Sequence, residues 1–531
     1  MKKHCVMTIA IVAGLILPCI VVKVSPALAQ TGPEIGPFVV SAVVTKGDPT
    51  SDGGTFFPSE VGDVKIAGEH ALNDLGQVVI SGFVGNCTSG VYVVSSRTGF
   101  RVTDVCRPSP FGRFALFAGA NINNHGQVVL NMGPIVDNVI VDMVLLYSDG
   151  QLSKVVADGD RSPRGPIFEP CGFSRPIVSN TGTVAFSGCS RDGELIRNGV
   201  FTFANGNLRQ ILQGGDPSPL AGVLSLNFAF PLSVSTNDNG DVLFVAGQID
   251  PDITVPETFG LFLATANGIK KVELGKDTMP NGSKAADDSF GLGSLNNKGD
   301  VAFFVKLAGK PKAGIFTHSH DQISTVALED QPTPIGGTLG LLQEVEAVDD
   351  PSPRINDNSA VAFMSLVNGG SSPEAIFLAS PRAMIKVVGV GDRLPTGEKI
   401  RGISTFSLNN LGQIAFFAHG AANLTHPLGV YLATPNPPQI RSIKLKQKKN
   451  ALQLRVNGTA MITNDTVIEI NGVPLNAIDY PPDFREDGGT ITQVVSRDAR
   501  LEQMMSSGQT VQVTVYNSLT NLRSGAVSLT R

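Results

Sequence analysis

An Asn-x-x-Gly corner recurs seven times in this chain, and that recurrence limits the fold more than any other feature. The copies read ALNDLGQVVISG, NINNHGQVVLNM, IVSNTGTVAFSG, STNDNGDVLFVAG, SLNNKGDVAFFV, RINDNSAVAFMS and SLNNLGQIAFFAHG. Their fourth positions are Gly76, Gly126, Gly182, Gly240, Gly299, Ser359 and Gly412, separated by 50 to 60 residues. That period fits four short strands with their turns and exceeds what one hairpin needs. Asn73, Asn123, Ser179, Asn237, Asn296, Asn356 and Asn409 hold the first position. A short polar residue there and a glycine three places on predict a type I turn, with the glycine left-handed before the return strand. The third position (Leu75, His125, Thr181, Asn239, Lys298, Asn358, Leu411) is too mixed for a shared ligand. The second is always Asp or Asn: Asp74, Asn124, Asn180, Asp238, Asn297, Asp357 and Asn410. Turn chemistry alone does not demand that. A bond from side chain to backbone is the structural account, and a shared calcium ion is the alternative. STNDNGD is similar to a calcium loop, but Ser235 stands where the first carboxylate belongs.

Three further patterns fill each period. The corner leads into an apolar triplet such as GTVAF or GQIAF, so both faces of that strand are covered. A second strand carries a central aromatic or Leu, as in GVFTF and GVYLA. A third runs into a Gly/Asp/Pro turn, as in KVVADGDRSP and KVVGVGDRLP. With the strand entering each corner, every unit has four strands. Seven such units predict an all-β fold, a seven-bladed β-propeller, because radial repetition hides strand edges that an open stack exposes. The seventh unit lacks the third pattern, and the N-terminus begins with an orphan copy, FVVSAVVTKGDPTSDGG. Phe38–Asp48 is therefore expected to close the ring as the outer strand of the last blade. The units resemble the exported bacterial family of tandem NxxGxxAF repeats over roughly residues 36–435. The resemblance implies surface-sorted proteins with no assigned activity; the sorting helix and basic tail of that family have no evident counterpart here.

The run TPNPPQ marks a boundary, since paired prolines cannot continue a sheet ladder. Beyond it IRSIKLKQ, ALQLRVNG, TVIEINGVPL, TITQVVS, QTVQVTVYN and GAVSLTR predict six short strands, an immunoglobulin-like β-sandwich. This segment resembles the IPT/TIG family, which implies a spacer or binding module. The expected division is a signal peptide over 1–29, the propeller over 30–436 and the sandwich over 437–531. The signal peptide rests on the basic MKK, an apolar stretch and Ala27–Ala29 before Gln30. It predicts a secreted or periplasmic protein without a transmembrane segment once the leader is cleaved.

Export gives the cysteines their meaning. Cys87, Cys106, Cys171 and Cys189 remain after cleavage, an even number without C-x-x-C spacing, and are expected to form disulfides. Cys171 and Cys189 lie almost symmetrically about the turn Ser179–Gly182 and would face each other in its hairpin. Cys87 and Cys106 form the remaining local pair.

The chain's formal net charge of −5 excludes a nucleic-acid partner of the ordinary basic kind. Zero Trp and five Tyr argue against an aromatic sugar platform. The catalytic signatures H-E-x-x-H and G-x-S-x-G are lacking. His318 and His320 should share one strand face but lack a third metal ligand. Asp48, Asp160, Asp216, Asp277, Asp330 and Asp392 recur at the Gly/Asp/Pro turns and read as turn caps; the first unit has DVCRPSP there, with Arg107. The acidic stretches QIDPDITVPET, KAADDSFG and EVEAVDDPSP read as solvated loops, the usual seat of binding on a rigid scaffold. The basic run Arg441–Lys449 reads as an exposed strand face. No catalytic, cofactor or metal residue follows from these patterns. The expected function is a monomeric exported binding or surface-interaction protein, taking a protein or cell-envelope ligand. The alternatives are a hydrolase or lyase with its site in the propeller channel, and a structural envelope component.

Overall fold

The computed structural model describes residues 20–22, 37–51, 53–57, 65–66, 71–84, 87–226, 234–249, 258–286, 293–340, 352–424, 426–448, 451–476, 478–480 and 488–531. The fold is all-β: the described strands make nine sheets, accompanied by one four-residue helix, Leu501–Met504. Seven sheets follow one another along the repeats. The third is typical, with Ile167–Phe173, Val184–Asp192, Leu195–Ala204 and Asn207–Gln213 in antiparallel order and Ile177–Val178 entering the corner beside Val184–Asp192.

The repeated Phe explains why these strands pair as they do. The last residue of each apolar triplet stands directly across from the central large residue of the next strand. The pairs are Ile80 with Tyr92, Leu130 with Leu145, Phe186 with Phe201, Phe244 with Phe262, Phe303 with Phe316, Phe363 with Phe377 and Phe416 with Tyr431. The rings of Phe186–Phe201, Phe244–Phe262, Phe363–Phe377 and Phe416–Tyr431 stack 5.5–5.9 Å apart. Such pairs each add about 0.5–1.5 kcal/mol beyond their burial. The small middle residue of the triplet faces the neighbouring sheet. Ala185 joins Val242 and Phe244 of the next unit, Ala302 joins Val361 and Phe363, and Ala362 joins Ile414 and Phe416. Ala415 and Phe417 of the seventh unit pack with Val78 and Ile80 of the first.

The termini of this region meet in one sheet. Phe38–Thr45 is the edge strand beside Pro427–Pro435, followed by Ile414–His419 and Gly402–Leu408. Gly429 lies at a φ of +145° where a Cβ would come 2.3 Å from the carbonyl oxygen of Val44. Only glycine admits the N-terminal strand at that point.

The last two sheets share a separate core. Gln439–Lys448, Ala451–Ile462 and Thr490–Ser496 form one; Thr466–Ile470, Thr510–Asn517 and Val527–Thr530 belong to the other. Ile443, Leu454, Val456 and Val494 pack against Ile468, Val513, Val515 and Leu529. This module is seated on the sixth unit. Ile462 and Leu519 join the apolar cluster of the sixth and seventh units. The Lys386 N–H donates to the Gly488 carbonyl at 2.9 Å, and a Cβ on Gly489 would meet the Met384 carbonyl oxygen at 2.4 Å.

Of the leader expected over 1–29, only Ile20–Val22 is described, as a short strand beside Ile443–Leu445; the rest lies outside the described residues, as do most of the three acidic stretches. No helix among the described residues is long and apolar enough to cross a membrane.

Candidate functional site

All seven Asn-x-x-Gly corners converge on one cavity of about 80 Å³. The first position is buried in every corner, the second half-buried, and the third mostly exposed. The fourth is left-handed throughout, from Gly412 at +73° to Gly299 at +81°, and Ser359 adopts it at +59°.

In five corners the first-position Asn has all its hydrogen-bonding capacity in use; Asn356, with Ala360 in the place of the polar partner, makes one amide donation fewer. Asn409 Oδ1 accepts the N–H groups of Leu411 and Gln413, which folds the corner. Its Nδ2 donates to Gln413 Oε1 and to the Asn73 carbonyl of the next unit. Asn73, Asn123, Asn237 and Asn296 repeat this set, with Gln77, Gln127, Asp241 and Asp300 in the role of Gln413. The polar residue after the glycine thus orients a buried amide. Ser179 has no amide, and its Oγ turns back to Thr181 and the Thr183 N–H.

The second-position Asp or Asn forms bonds between units, where the sequence admits a bond local to its own turn. Each side chain accepts the N–H of the second residue of the preceding corner. Asp74 N–H donates to Asn124, Asn124 to Asn180, Asn180 to Asp238, Asp238 to Asn297, Asn297 to Asp357, and Asp357 to Asn410, all at 2.6–2.9 Å. Asn410 N–H donates to Asp74 Oδ1 at 2.8 Å, across 336 residues of sequence, and the circuit closes. Asp and Asn each place a carbonyl-type acceptor on a short side chain, which reaches the neighbouring N–H.

The order of charge around this circuit is also constrained. It runs Asp74, Asn124, Asn180, Asp238, Asn297, Asp357, Asn410, so no carboxylate stands beside another. Three is the most that seven places hold on that condition. Asn124, Asn180 and Asn297 donate their amides to Asp74, Asp238 and Asp357 at 2.7–3.0 Å. Each carboxylate therefore takes a backbone N–H on one oxygen and an amide on the other. No group of three or more His, Cys, Asp or Glu among the described residues could hold a metal.

The turn aspartates are caps. Asp48, Asp160, Asp216, Asp277 and Asp392 each accept the N–H three residues earlier at 2.7–3.0 Å. In the fifth unit the cap is Gln331, which accepts Leu328 N–H, and not Asp330. Asp330 takes the left-handed place that glycine or Lys276 fills elsewhere. The two histidines do not share a strand face. His318 ends up half-buried in Ala313–Ser319, with burial lowering its pKa, whereas His320 forms the next turn at a φ of +51°.

Cys106 and Cys189 are disulfide-bonded; the side chains of Cys87 and Cys171 lie outside the described residues. The backbone brings the expected partners together. Cys171 sits in the bulge between Phe168 and Phe173, which pair with Ser190 and Gly188 on either side of Cys189. Gly90, three residues after Cys87, pairs with Asp104, two before Cys106.

The chain's place among known proteins is decided by sequence. Residues 122–419, spanning six of the seven corners, match the model of a family of unknown function, DUF7453. The chain belongs to that family. No curated protein matches it. Among solved structures it is similar to a gluconolactonase from Xanthomonas campestris at 10% identity, covering 79% of this chain and 98% of that one, with a TM-score of 0.30. An acylaminoacyl peptidase from Pyrococcus horikoshii is similar at 10% identity, with coverage of 76% and 58% and a TM-score of 0.35. A β-fructofuranosidase from Bombyx mori follows at 10% identity, 86% and 91% coverage and a TM-score of 0.24. Likenesses this distant carry no activity over to a DUF7453 member.

One buried group escapes the sequence reading. Glu273 is wholly buried, and neither carboxylate oxygen has a hydrogen-bond partner among the described residues. Four residues before the turn cap, other units place Val44, Val156, Leu212, Ala327 and Val388. The signal was available in KVELGKD set against KVVADGD and QILQGGD. Burial, helped by Asp277, pushes its carboxyl up to about 8 from an ordinary 4.5.

Two outcomes follow. Asn410→Asp seats a carboxylate between Asp357 and Asp74 and should cost roughly 1–2 kcal/mol of stability by chemical denaturation, partly recovered in high salt. Leu411→Lys at the exposed third position should cost nothing measurable. As for Glu273, the folded carboxyl keeps its proton to about pH 8 and the unfolded one releases it near 4.5. Its contribution to stability therefore falls as pH rises through that window. Glu273→Leu should raise the melting temperature most at pH 8 and flatten the decline between pH 5 and 8.

Proposed function

We propose that this DUF7453 member is an exported seven-bladed β-propeller, closed by its N-terminal strand and carrying a C-terminal immunoglobulin-like module of IPT/TIG type. It works as a binding or surface-interaction protein of the periplasm or cell exterior, stapled by Cys87–Cys106 and Cys171–Cys189. The ring of corner bonds and the edge strand Phe38–Thr45 support the propeller reading. The two-layered core of residues 439–531 supports the module.

The observation that carries the binding role is the size of the axial cavity. At about 80 Å³ it holds a few waters. Organic ligands occupy sites of roughly 300–1,000 Å³. Its carboxylates are already committed to N–H donors, so they are occupied as structural acceptors and not poised as a general acid and base or as calcium ligands. Recognition then belongs to the outer surfaces of the units and to the module docked on the sixth.

The test uses fluorescently labelled mature protein and the cell envelope of its host. Saturable binding that unlabelled protein competes away, and that weakens when residues 437–531 are removed from a propeller still folded by circular dichroism, is the expected result. No saturable binding, together with turnover in a panel of esters, lactones and glycosides, would overturn the proposal.

A further inference from the structure

The C-terminal module begins with an edge strand. Gln439–Lys448 pairs on its inner side with Ala451–Ile462, and its outer side meets only Ile20–Val22 among the described residues. That short strand runs antiparallel, with Ile20 opposite Leu445, Val21 opposite Lys444 and Val22 opposite Ile443. It covers three positions of a ten-residue strand. An edge of this kind presents a row of backbone N–H and C=O groups with which another extended chain can pair. Ile20–Val22 lies within the leader over 1–29, so the export reading proposed above leaves the whole edge vacant in the mature chain.

The two faces of the edge differ in chemistry. Ile443 and Leu445 are buried in the core of the module. Ser442, Lys444 and Lys446 are half-buried on the other face, directly across from Asn457, Arg455 and Gln453 of the next strand. Lys444 therefore stands against Arg455, and like charges in that relation are destabilising. No ion pair among the described residues reaches Lys444, Lys446 or Arg455, and Arg455 Nε is buried without an acceptor. The acid in that cross-strand row, Asp479, lies beyond Val495 and pairs with Arg497 at 3.1 Å. A second copy of the edge brings lysines to these lysines, so self-pairing is disfavoured.

We propose that the outer edge of Gln439–Lys448 is a strand-addition site, held by the leader in the precursor and open in the mature chain to an extended segment of a partner protein. That segment alternates apolar with acidic residues. Its apolar residues take the register places of Ile20 and Val22, opposite Leu445 and Ile443. Its acids take the place of Val21 and the alternate places beside it, where they meet Lys444 and Lys446 and relieve the Lys444–Arg455 pair. Main-chain bonds supply affinity, and the alternating side chains supply specificity. The site deepens the binding role proposed above by naming where the module binds and what it recognises, and it rests on removal of the leader.

The experiment titrates the chain beginning at Gln30 with the labelled peptides TEIEVET and TKIKVKT, with the uncleaved full chain alongside. TEIEVET should bind saturably with a Kd below about 100 μM, and TKIKVKT at least about tenfold more weakly. A chain of net charge −5 does not favour an acidic peptide in general, so this preference points to the lysine-bearing edge. Lys444→Glu, at a half-buried position outside the core, should weaken TEIEVET about tenfold and strengthen TKIKVKT. Bound TEIEVET should slow amide exchange within residues 443–445, and the uncleaved chain should bind it about tenfold more weakly than the mature one. The proposal is overturned if neither peptide binds the mature chain, if TKIKVKT binds as well as TEIEVET, or if Lys444→Glu leaves their ratio unchanged. Unchanged exchange at 443–445, equal binding by the uncleaved chain, or a mature dimer that takes no peptide would also overturn it. Intact mass of the exported protein reads leader removal separately, and envelope binding is read by its own assay, so those readings and this one fail distinguishably.

Discussion

The structure depends on one repeated hydrogen bond, from the backbone N–H of one corner to the Asp or Asn side chain of the next. Apolar clusters join every pair of neighbouring sheets, but apolar contact is non-directional and tolerates sliding. The corners supply direction. Their backbone groups are sheltered from water where seven hairpins converge, so each N–H needs a partner. The preceding hairpin cannot provide one from its own residues, and the next hairpin does. The Asn-x-x-Gly motif is therefore both a turn and a joint between sheets.

That double role explains features that a turn alone does not. The first-position Asn is buried because its four bonds divide between its own corner and the next carbonyl. The second position never sets Asp beside Asp because a carboxylate beside a carboxylate would repel, whereas an amide beside it donates. The third position varies freely because it faces solvent at Leu75 and Leu411. Departures from the repeat are informative for the same reason. Ser179 omits both amide donations, Ser359 sends its hydroxyl to Asp300 of the neighbouring unit, Glu273 puts a carboxyl into an aliphatic place, and Cys106–Pro110 open a groove.

Much of the local structure is legible in the sequence. The corners, the apolar triplets and the aromatic strands fall in turns and strands as their patterns predict, because strand alternation and turn chemistry are local. The partner of each second-position side chain is not local. Spacings of 50–60 residues say that units repeat but not which atoms of two units meet. The same limit applies to Asp330, whose role shifts to Gln331 by one residue of register, and to His320, which the turn removes from its strand. The groove beside Arg107 is a volume between two sheets. DVCRPSP marks its place, but its size emerges only when Tyr147 and Gln151 of the next unit stand opposite.

The corner bonds form a closed circuit through Asn410 and Asp74. Amide hydrogen exchange resolved at single residues, in the parent and in Asp74→Ala, tests it most directly. Removing the Asp74 side chain should deprotect the Asn410 N–H, 336 residues away in sequence, while the Asp357 N–H, held by Asn410 itself, keeps most of its protection. An Asn410 amide that exchanges at the parent rate in the variant, with changes confined to the residues around position 74, would contradict the circuit.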